Sequence, residues 1–510
     1  MQLARVIETS AAVAATRSRT AKTALLADTL REAAQGGDPR LTEVVADYLA
    51  GVLPQRTVGV GYRGLSALPD PAEESTLEVL EVDAALESLR GLAGSGSAAA
   101  RSAAVGALFV RATGDEQRWL VGLITGELRQ GAGDGVLMPA IAQAADVPEV
   151  LVRRAVMLAG YAGPVARAAL DGGAEALEEI RLEVGRPLRP MLAGSEPDVG
   201  AALAAASGAE VALDAKLDGI RLQAHLDRAA DVPVRLFTRS LDEITDRLPE
   251  VVEAIAGLDA STAVLDGEVI ALQDDGRPHP FQVTGARTAS SADPATLATR
   301  TPVTTYLFDL LHLDGRDLVD EPASERWAVL QALAPGLSVE RITTTDAARA
   351  QAFFDDVLAQ GHEGVVVKDP QAVYAAGRRG AGWVKVKPRR TADLVVLGVE
   401  WGSGRRQGWL SNIHLAARDP ESGELVMVGK TFKGMTDAIL TWQTERFLAL
   451  ETSREGHVVH VRPEQVVEIA YDGVQTSRRY PGGIALRFAR VLRYRDDKGP
   501  EEVDTLDRLK

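Results

Sequence analysis

Two prolines fall within ten residues in Gly185-Arg186-Pro187-Leu188-Arg189-Pro190-Met191-Leu192-Ala193-Gly194, and no helix continues through them. The segment therefore reads as an extended connector, and the pattern of the chain changes across it. Before it, Ala, Leu, Glu and Arg dominate. Apolar residues recur at helical spacing in Leu25, Leu26 and Leu30 and in Val44, Val45, Tyr48 and Leu49, with glycine clusters at 91–97 and 131–135 as breaks. After it, strand-like runs appear at Val211-Ala212-Leu213, Val234 to Thr238, Ala263-Val264-Leu265, Thr304 to Phe308 and Val365-Val366-Val367, alternating with helical stretches such as Trp327 to Leu333. Beyond Arg390 the runs are short and separated by glycine turns, the pattern of a small β-barrel of the OB type. The expected fold is multidomain: an all-α domain over residues 1–184, a linker over 185–195, an α+β domain over 196–390 and an OB-fold barrel over 391–510.

At 510 residues the chain has room for about three cores of ordinary size. It contains no cysteine, which excludes disulfides, thiolate zinc sites and cysteine nucleophiles. Glu8 and several arginines interrupt the N-terminus where a signal peptide needs an apolar core, and charges break the apolar stretch from Ala144 to Leu170. A cytoplasmic protein is the expectation. The net charge of -16 argues against a uniformly basic surface but leaves room for local patches. Between Gln371 and Glu400, six basic residues face only two acidic ones.

Within the middle region, Lys216-Leu217-Asp218-Gly219-Ile220-Arg221 packs a lysine, a carboxylate, a glycine and an arginine into six residues between two strand-like runs. A lysine so placed suits covalent catalysis, in which the amine attacks an electrophilic centre and carries the group to an acceptor. Such a lysine has to shed about three pKa units to be neutral near pH 7. Burial and a cation such as Arg221 favour that; Asp218 opposes it and needs another task. For the motif taken alone, a surface ion pair beside an Asp-Gly turn stays an alternative.

Other polar clusters follow at the ends of strand-like runs. Arg239, after Phe237-Thr238, offers a cation for a phosphate, and Glu268 in Leu265-Asp266-Gly267-Glu268 places a carboxylate past an expected turn, suited to a ribose hydroxyl or a divalent cation. Phe308 offers an aromatic face. Glu363 and Lys368 bracket Gly364-Val365-Val366-Val367, and alternation puts Trp383, Lys385 and Lys387 on one strand face. In the helical region Arg19, Lys22 and Arg129 could direct charge at phosphates, or equally form a solvated face. Together these groups are an inventory for nucleotidyl transfer through a lysine phosphoramidate.

The ordered set KLDGIR, FTRS, LDGE, FDLLHLDG, EGVVVK and WVKVK, followed by Ile484 to Arg490 and Arg495-Asp496-Asp497-Lys498, resembles the motifs of the ATP-dependent DNA ligases, within the covalent nucleotidyltransferases. GELRQG and RPLRPMLA are similar to that family's N-terminal DNA-binding portion, so the resemblance covers most of the chain. It implies sealing of nicks in duplex DNA by a monomer using ATP and Mg2+. Lys216 would be the adenylated nucleophile. Asp214, Arg221, Arg239, Glu268, Phe308, Arg379, Lys385 and Lys387 would hold ATP, with Phe308 stacking on adenine. Glu268 and Glu363 would bind the metal; Arg487, Asp497 and Lys498 would act on pyrophosphate from a closing C-terminal domain; Arg19, Lys22 and Arg129 would contact DNA. Asp214 stands where the family commonly has glutamate, so its adenine contact would be made differently or through the backbone, and Ala489 replaces a frequent proline. An RNA ligase, an RNA-capping nucleotidyltransferase and an inactive DNA-clamping protein are the alternatives.

Overall fold

A computed structural model describes residues 1–128, 130–290, 292–376 and 382–509. Helices fill the chain from Leu3–Ala15 to Ala162–Glu178, and β-structure among the described residues of that region is limited to a bridge between Gln2 and Glu78. Local sequence sets the helix ends. Asp38 caps Pro39–Ala50, with Pro39 in the first turn and Gly51 left-handed past the last. Thr113 and Glu116 form a reciprocal capping box at Gly114–Thr125, which Gly126 terminates in the left-handed region. Leu26, Leu30, Val44, Val45, Tyr48 and Leu49 are buried, as the helical spacing requires. The apolar stretch from Ala144 falls into helices Glu149–Ala159 and Ala162–Glu178. No single described helix is long and apolar enough to cross a membrane.

The connector is extended but packed. Leu188 and Met191 are fully buried beside Met157 and Leu158 of the helical region and Val264, Leu311 and Trp383 of the next. The Leu188 N–H donates to Gln223 Oε1 and the Met191 N–H to Tyr374 Oη, so the backbone exposed by the prolines is satisfied by side chains of the middle region.

Two five-stranded sheets make up the middle region. In one, strands run in the order Gly194–Glu196, Trp383–Val386, Gly364–Lys368, Val211–Lys216, Arg341–Thr344; in the other, Val234–Thr238, Ile220–Asp227, Thr262–Ala271, Val303–Leu313, Arg316–Asp317. Two Asp-Gly pairs therefore differ from the turns that sequence suggests. Residues 217–219 do not close a hairpin: Val211–Lys216 and Ile220–Asp227 lie in different sheets, and the chain crosses between them. Asp266-Gly267 lies inside one continuous strand, where the register against Val303–Leu313 shifts and a side chain at Gly267 would strike the Tyr306 carbonyl and Leu307.

Beyond Lys387, the twelve-residue strand Arg390–Trp401 pairs on one side with Leu410–Arg418 and on the other with Val466–Tyr471 and then Val458–Val461. The described pairings leave this sheet open, with Leu425–Thr431, Glu451–Glu455 and, beyond Val466–Tyr471, Arg490–Arg495 at its ends, so they do not by themselves define a closed barrel. A helix absent from the strand reading, Asp437–Ala449, packs Leu440 and Phe447 into its core. The hairpin Gly473–Thr476 with Ile484–Arg487 projects from this region toward the two middle sheets.

Candidate active site

Lys216 is the last residue of its strand, at the point where the chain leaves one sheet for the other. The crossing explains the glycine two residues after Leu217. A Cβ on Gly219 would overlap the Val269 carbonyl and the Ile270 side chain, and its N–H donates 3.1 Å to Glu268 Oε1. Gly364 plays the matching part on the neighbouring strand: its φ is 142° and a Cβ would run into the Val386 carbonyl. That fit places Glu363 beside the nucleophile candidate. The Glu363 N–H donates to the Lys216 carbonyl at 2.9 Å, and its carboxylate is ion-paired to both Lys216 and Lys387. Lys387 also reaches Asp472 of the C-terminal region at 3.1 Å. Burial works against charge on Glu363, but the two ammonium groups outweigh it and keep its pKa below the usual carboxylate range.

Above Lys216 lies a cleft of about 1120 Å³, large enough for a nucleotide. Arg239, Phe308, Lys385 and Lys387 line it, as do Asp214, Arg221, Glu268 and Glu363. Burial and the neighbouring Lys387 and Lys216 lower the Lys385 pKa. Burial raises the Glu268 pKa to about 7, so that this carboxyl is part protonated at neutral pH. Phe308 presents its ring edge-on to Trp383, with centroids 5.7 Å apart.

The charged neighbours of the lysine are arranged differently from the sequence expectation. Arg221 does not act as a loose cation beside Lys216, because its guanidinium is locked onto Asp266 at 3.0 and 2.6 Å and onto the Met191 carbonyl at 2.5 Å. Asp218 does not salt-bridge Lys216; it accepts from Arg487 at 2.7 and 3.3 Å. Asp214 is buried and bound by Arg341 at 2.5 and 2.7 Å and by Lys368 at 2.6 Å. Burial disfavours its charge, but those two cations outweigh it and hold its pKa low.

Arg487 thus reaches the cleft, whereas Asp497 is held by Arg495 and Lys498 by Asp393, and neither lines it. Arg19 and Lys22 lie at the start of helix Arg19–Gln35 and donate to the carbonyls of Gly135 and Gly131, at 2.5 and 3.1 Å. Arg129 and Arg379 fall outside the described residues.

Several lining residues carried no site assignment from sequence. Lys368 was visible only as the end of EGVVVK; its ammonium sits 4.7 Å from the Phe308 centroid and 4.2 Å from that of Trp383. Lys433, Asp472 and Arg490 line the cleft from the C-terminal region, and Phe281 from helix Phe281–Ala289. Arg341, which stands in no motif at all, reaches the cleft only through Asp214 and itself lines a second cavity.

A lysine at a sheet crossing, flanked by carboxylates and overlooked by cations from two regions, fits a covalent nucleotidyltransferase. The chain belongs to the ATP-dependent DNA ligase family. Residues 190–387 match the ATP dependent DNA ligase domain, residues 406–498 the ATP dependent DNA ligase C terminal region, and residues 62–142 the DNA ligase N terminus. It is 60% identical to a probable DNA ligase of Nocardioides sp. over 100% of this chain and 98% of the relative. It is 59% identical to a probable DNA ligase of Beutenbergia cavernae over 100% and 99%. The solved structure named Pmar-Lig_PreS3 shares the fold, with a TM-score of 0.62, 19% identity and coverage of 96% of this chain and 99% of that one.

Proposed function

We propose that this DNA ligase seals nicks in duplex DNA through an AMP carried on Lys216. The observation that carries the reading is the position of Lys216 in a nucleotide-sized cleft with Arg239, Lys385 and Lys387 on one side and Arg487 brought in from the C-terminal region. Neutral Lys216 attacks the α-phosphorus of ATP, forming an N–P bond as the P–O bond to pyrophosphate breaks, and the nitrogen releases a proton to solvent. The 5′-phosphate at the nick then takes the AMP, the N–P bond breaks and the amine is protonated again. Finally the 3′-hydroxyl attacks the activated 5′-phosphorus and AMP leaves. The cations offset charge that builds on the phosphoryl oxygens, and Arg487 acts on the departing pyrophosphate. Phe308 stacks on adenine and Glu268 holds the ribose.

Glu268 and Glu363 would hold a hard divalent cation such as Mg2+, Glu363 by exchanging its Lys216 and Lys387 partners for the ion. Glu268 has a single protein donor among the contacts described, the Gly219 N–H, which leaves its oxygens available. When bound, the ion would neutralise phosphate charge at these two carboxylates.

The remaining assignments belong to the same reading. Residues 1–184 grip the duplex, with Arg19, Lys22 and Arg129 on phosphates; residues 196–390 carry out adenylation; and residues 391–510 form an OB-type module that closes on ATP. Asp497 and Lys498 reach pyrophosphate only after rearrangement from their present partners. The protein works as a cytoplasmic monomer that reads duplex shape rather than sequence.

The test is incubation with ATP, GTP and NAD, each labelled in the nucleotide it would transfer, followed by nicked duplex. Label from ATP alone, chased by nicked DNA with formation of a sealed strand, is the expected result. Label from GTP, or a label that nicked DNA does not remove, contradicts the proposal.

A further inference from the structure

The residues around Asp214 go further than base stacking. A carboxylate offers about four acceptor positions. Arg341 Nε takes one on Oδ1, and Arg341 Nη2 and Lys368 Nζ take two on Oδ2. One acceptor position is left, on Oδ1, in a side chain that lines the nucleotide cleft. The same Arg341 Nη2 also donates 3.0 Å to the Phe308 carbonyl, and the guanidinium carbon lies over Trp327, 4.0 Å from its ring centroid.

One side chain therefore ties together the acceptor at the base of the cleft and the backbone of the ring that the base would stack on. A guanidinium suits this because its planar fork grips a carboxylate with two parallel bonds and still has an N–H for a third acceptor; a lysine cannot do all three. Trp327 fixes the fork from behind, on the wall of a second, smaller cavity that does not contain Lys216. Arg341 touches none of the reacting atoms.

We propose that Arg341 is a positioning residue for base recognition, setting the Asp214 acceptor against the Phe308 ring so that the cleft favours a base bearing an exocyclic amine over one bearing a carbonyl. Adenine presents a donor at N6 where guanine presents an acceptor at O6. A single oriented acceptor therefore separates the two, since a guanine O6 would face the Asp214 oxygen with no proton between them. The Asp214 carboxylate is held from both sides, by Arg341 and by Lys368. The inference rests on the nucleotide reading above.

The experiment measures self-adenylation rates against ATP and GTP concentration for the wild type, Arg341→Gln and Arg341→Lys, with thermal melts of each protein. Expected for Arg341→Gln is a KM for ATP raised about ten-fold, a rate at saturating ATP within about two-fold of wild type, and a narrowed preference for ATP over GTP. Arg341→Lys retains a charge beside Asp214 and so keeps the buried carboxylate paired if the glutamine variant is too unstable to assay. It should show the same KM effect in weaker form, because it cannot hold Asp214 and the Phe308 carbonyl together. Unchanged KM and unchanged selectivity in a folded variant would overturn the proposal, as would a fall in saturating rate alone. Absence of ATP labelling in the wild type would instead overturn the nucleotide reading itself.

Discussion

Arg487, on the C-terminal hairpin, donates to Asp218 at 2.7 Å across 269 residues of chain, so the region that follows the middle sheets is closed over the cleft at the motif carrying the nucleophile. This gives Asp218 the task that the sequence left open: it holds the closing arginine and leaves Lys216 to Glu363. The guanidinium also lies 5.1 Å from the Phe281 ring, and Gln282 beside it donates to the Thr476 carbonyl on the same hairpin. On the reading proposed above, closure of this kind serves the ATP step and has to open for a duplex to enter.

Arg487→Ala should therefore slow self-adenylation by about 10²-fold, the typical loss of one charge-stabilising donor. Sealing of a nick that already carries adenylate should fall by no more than about three-fold. Single-turnover assays of the two steps decide it. Equal losses in both would remove the step-specific role.

Glu268 supplies a pH dependence of stability. Burial raises its pKa in the folded protein to about 7, above the value of about 4.3 for an unstrained glutamate. The folded state therefore holds its proton more tightly than the unfolded state. The resulting stability is complete below about pH 4.3 and is lost as pH rises through 7. Glu268→Gln cannot ionise and escapes that loss. Relative to wild type it should gain about 2 kcal/mol between pH 5 and pH 8, after allowance for partial exposure of the site. Urea titrations at the two pH values measure this, and a difference that does not change with pH would refute the burial argument.

Gly219→Ala tests the crossing itself. The added methyl would overlap the Val269 carbonyl and Ile270, which forces the crossing segment away from strand Thr262–Ala271 beside Lys216. A stability loss of about 2 to 4 kcal/mol follows from overpacking at a backbone contact. Adenylation should fall even at temperatures where the variant is fully folded. An alanine variant as stable and active as wild type would show that the strands do not meet this closely.

Arg19 and Lys22 bond the carbonyls of Gly135, in the first turn of helix Asp134–Ala145, and of Gly131 just before that helix, and stand at the start of a helix themselves, a position open to a phosphate as well. If both contact the duplex, the double alanine variant should lower the slope of log affinity for nicked DNA against log salt by about 1.8, at 0.9 for each contact. Titrations at several salt concentrations check it. An unchanged slope would reduce the pair to holding the loop.

Much of this architecture was legible in the chain. The prolines marked the connector, helical spacing found Leu26, Leu30 and Tyr48, and the ordered motifs brought Lys216, Glu363, Lys385 and Lys387 to one cleft. What failed did so for identifiable reasons. Asp-Gly signals a turn locally, yet at Asp266-Gly267 tertiary pairing holds it inside a strand with a register shift. Helix Asp437–Ala449 was hidden because Trp442, Phe447 and Leu448 read equally as strand residues. Charge partners were least readable. Nothing in spacing tells that Arg341 would claim Asp214, or Arg487 claim Asp218, because each pair forms only when distant strands meet.

The most direct test of the central claim is to locate the AMP. The protein is incubated with ATP and magnesium, digested, and its peptides weighed, beside Lys216→Ala treated in the same way. Wild type should carry one AMP on the peptide containing Lys216, labile to acid as a phosphoramidate is, and the variant should carry none. AMP on any other residue, or undiminished labelling of Lys216→Ala, would contradict the account.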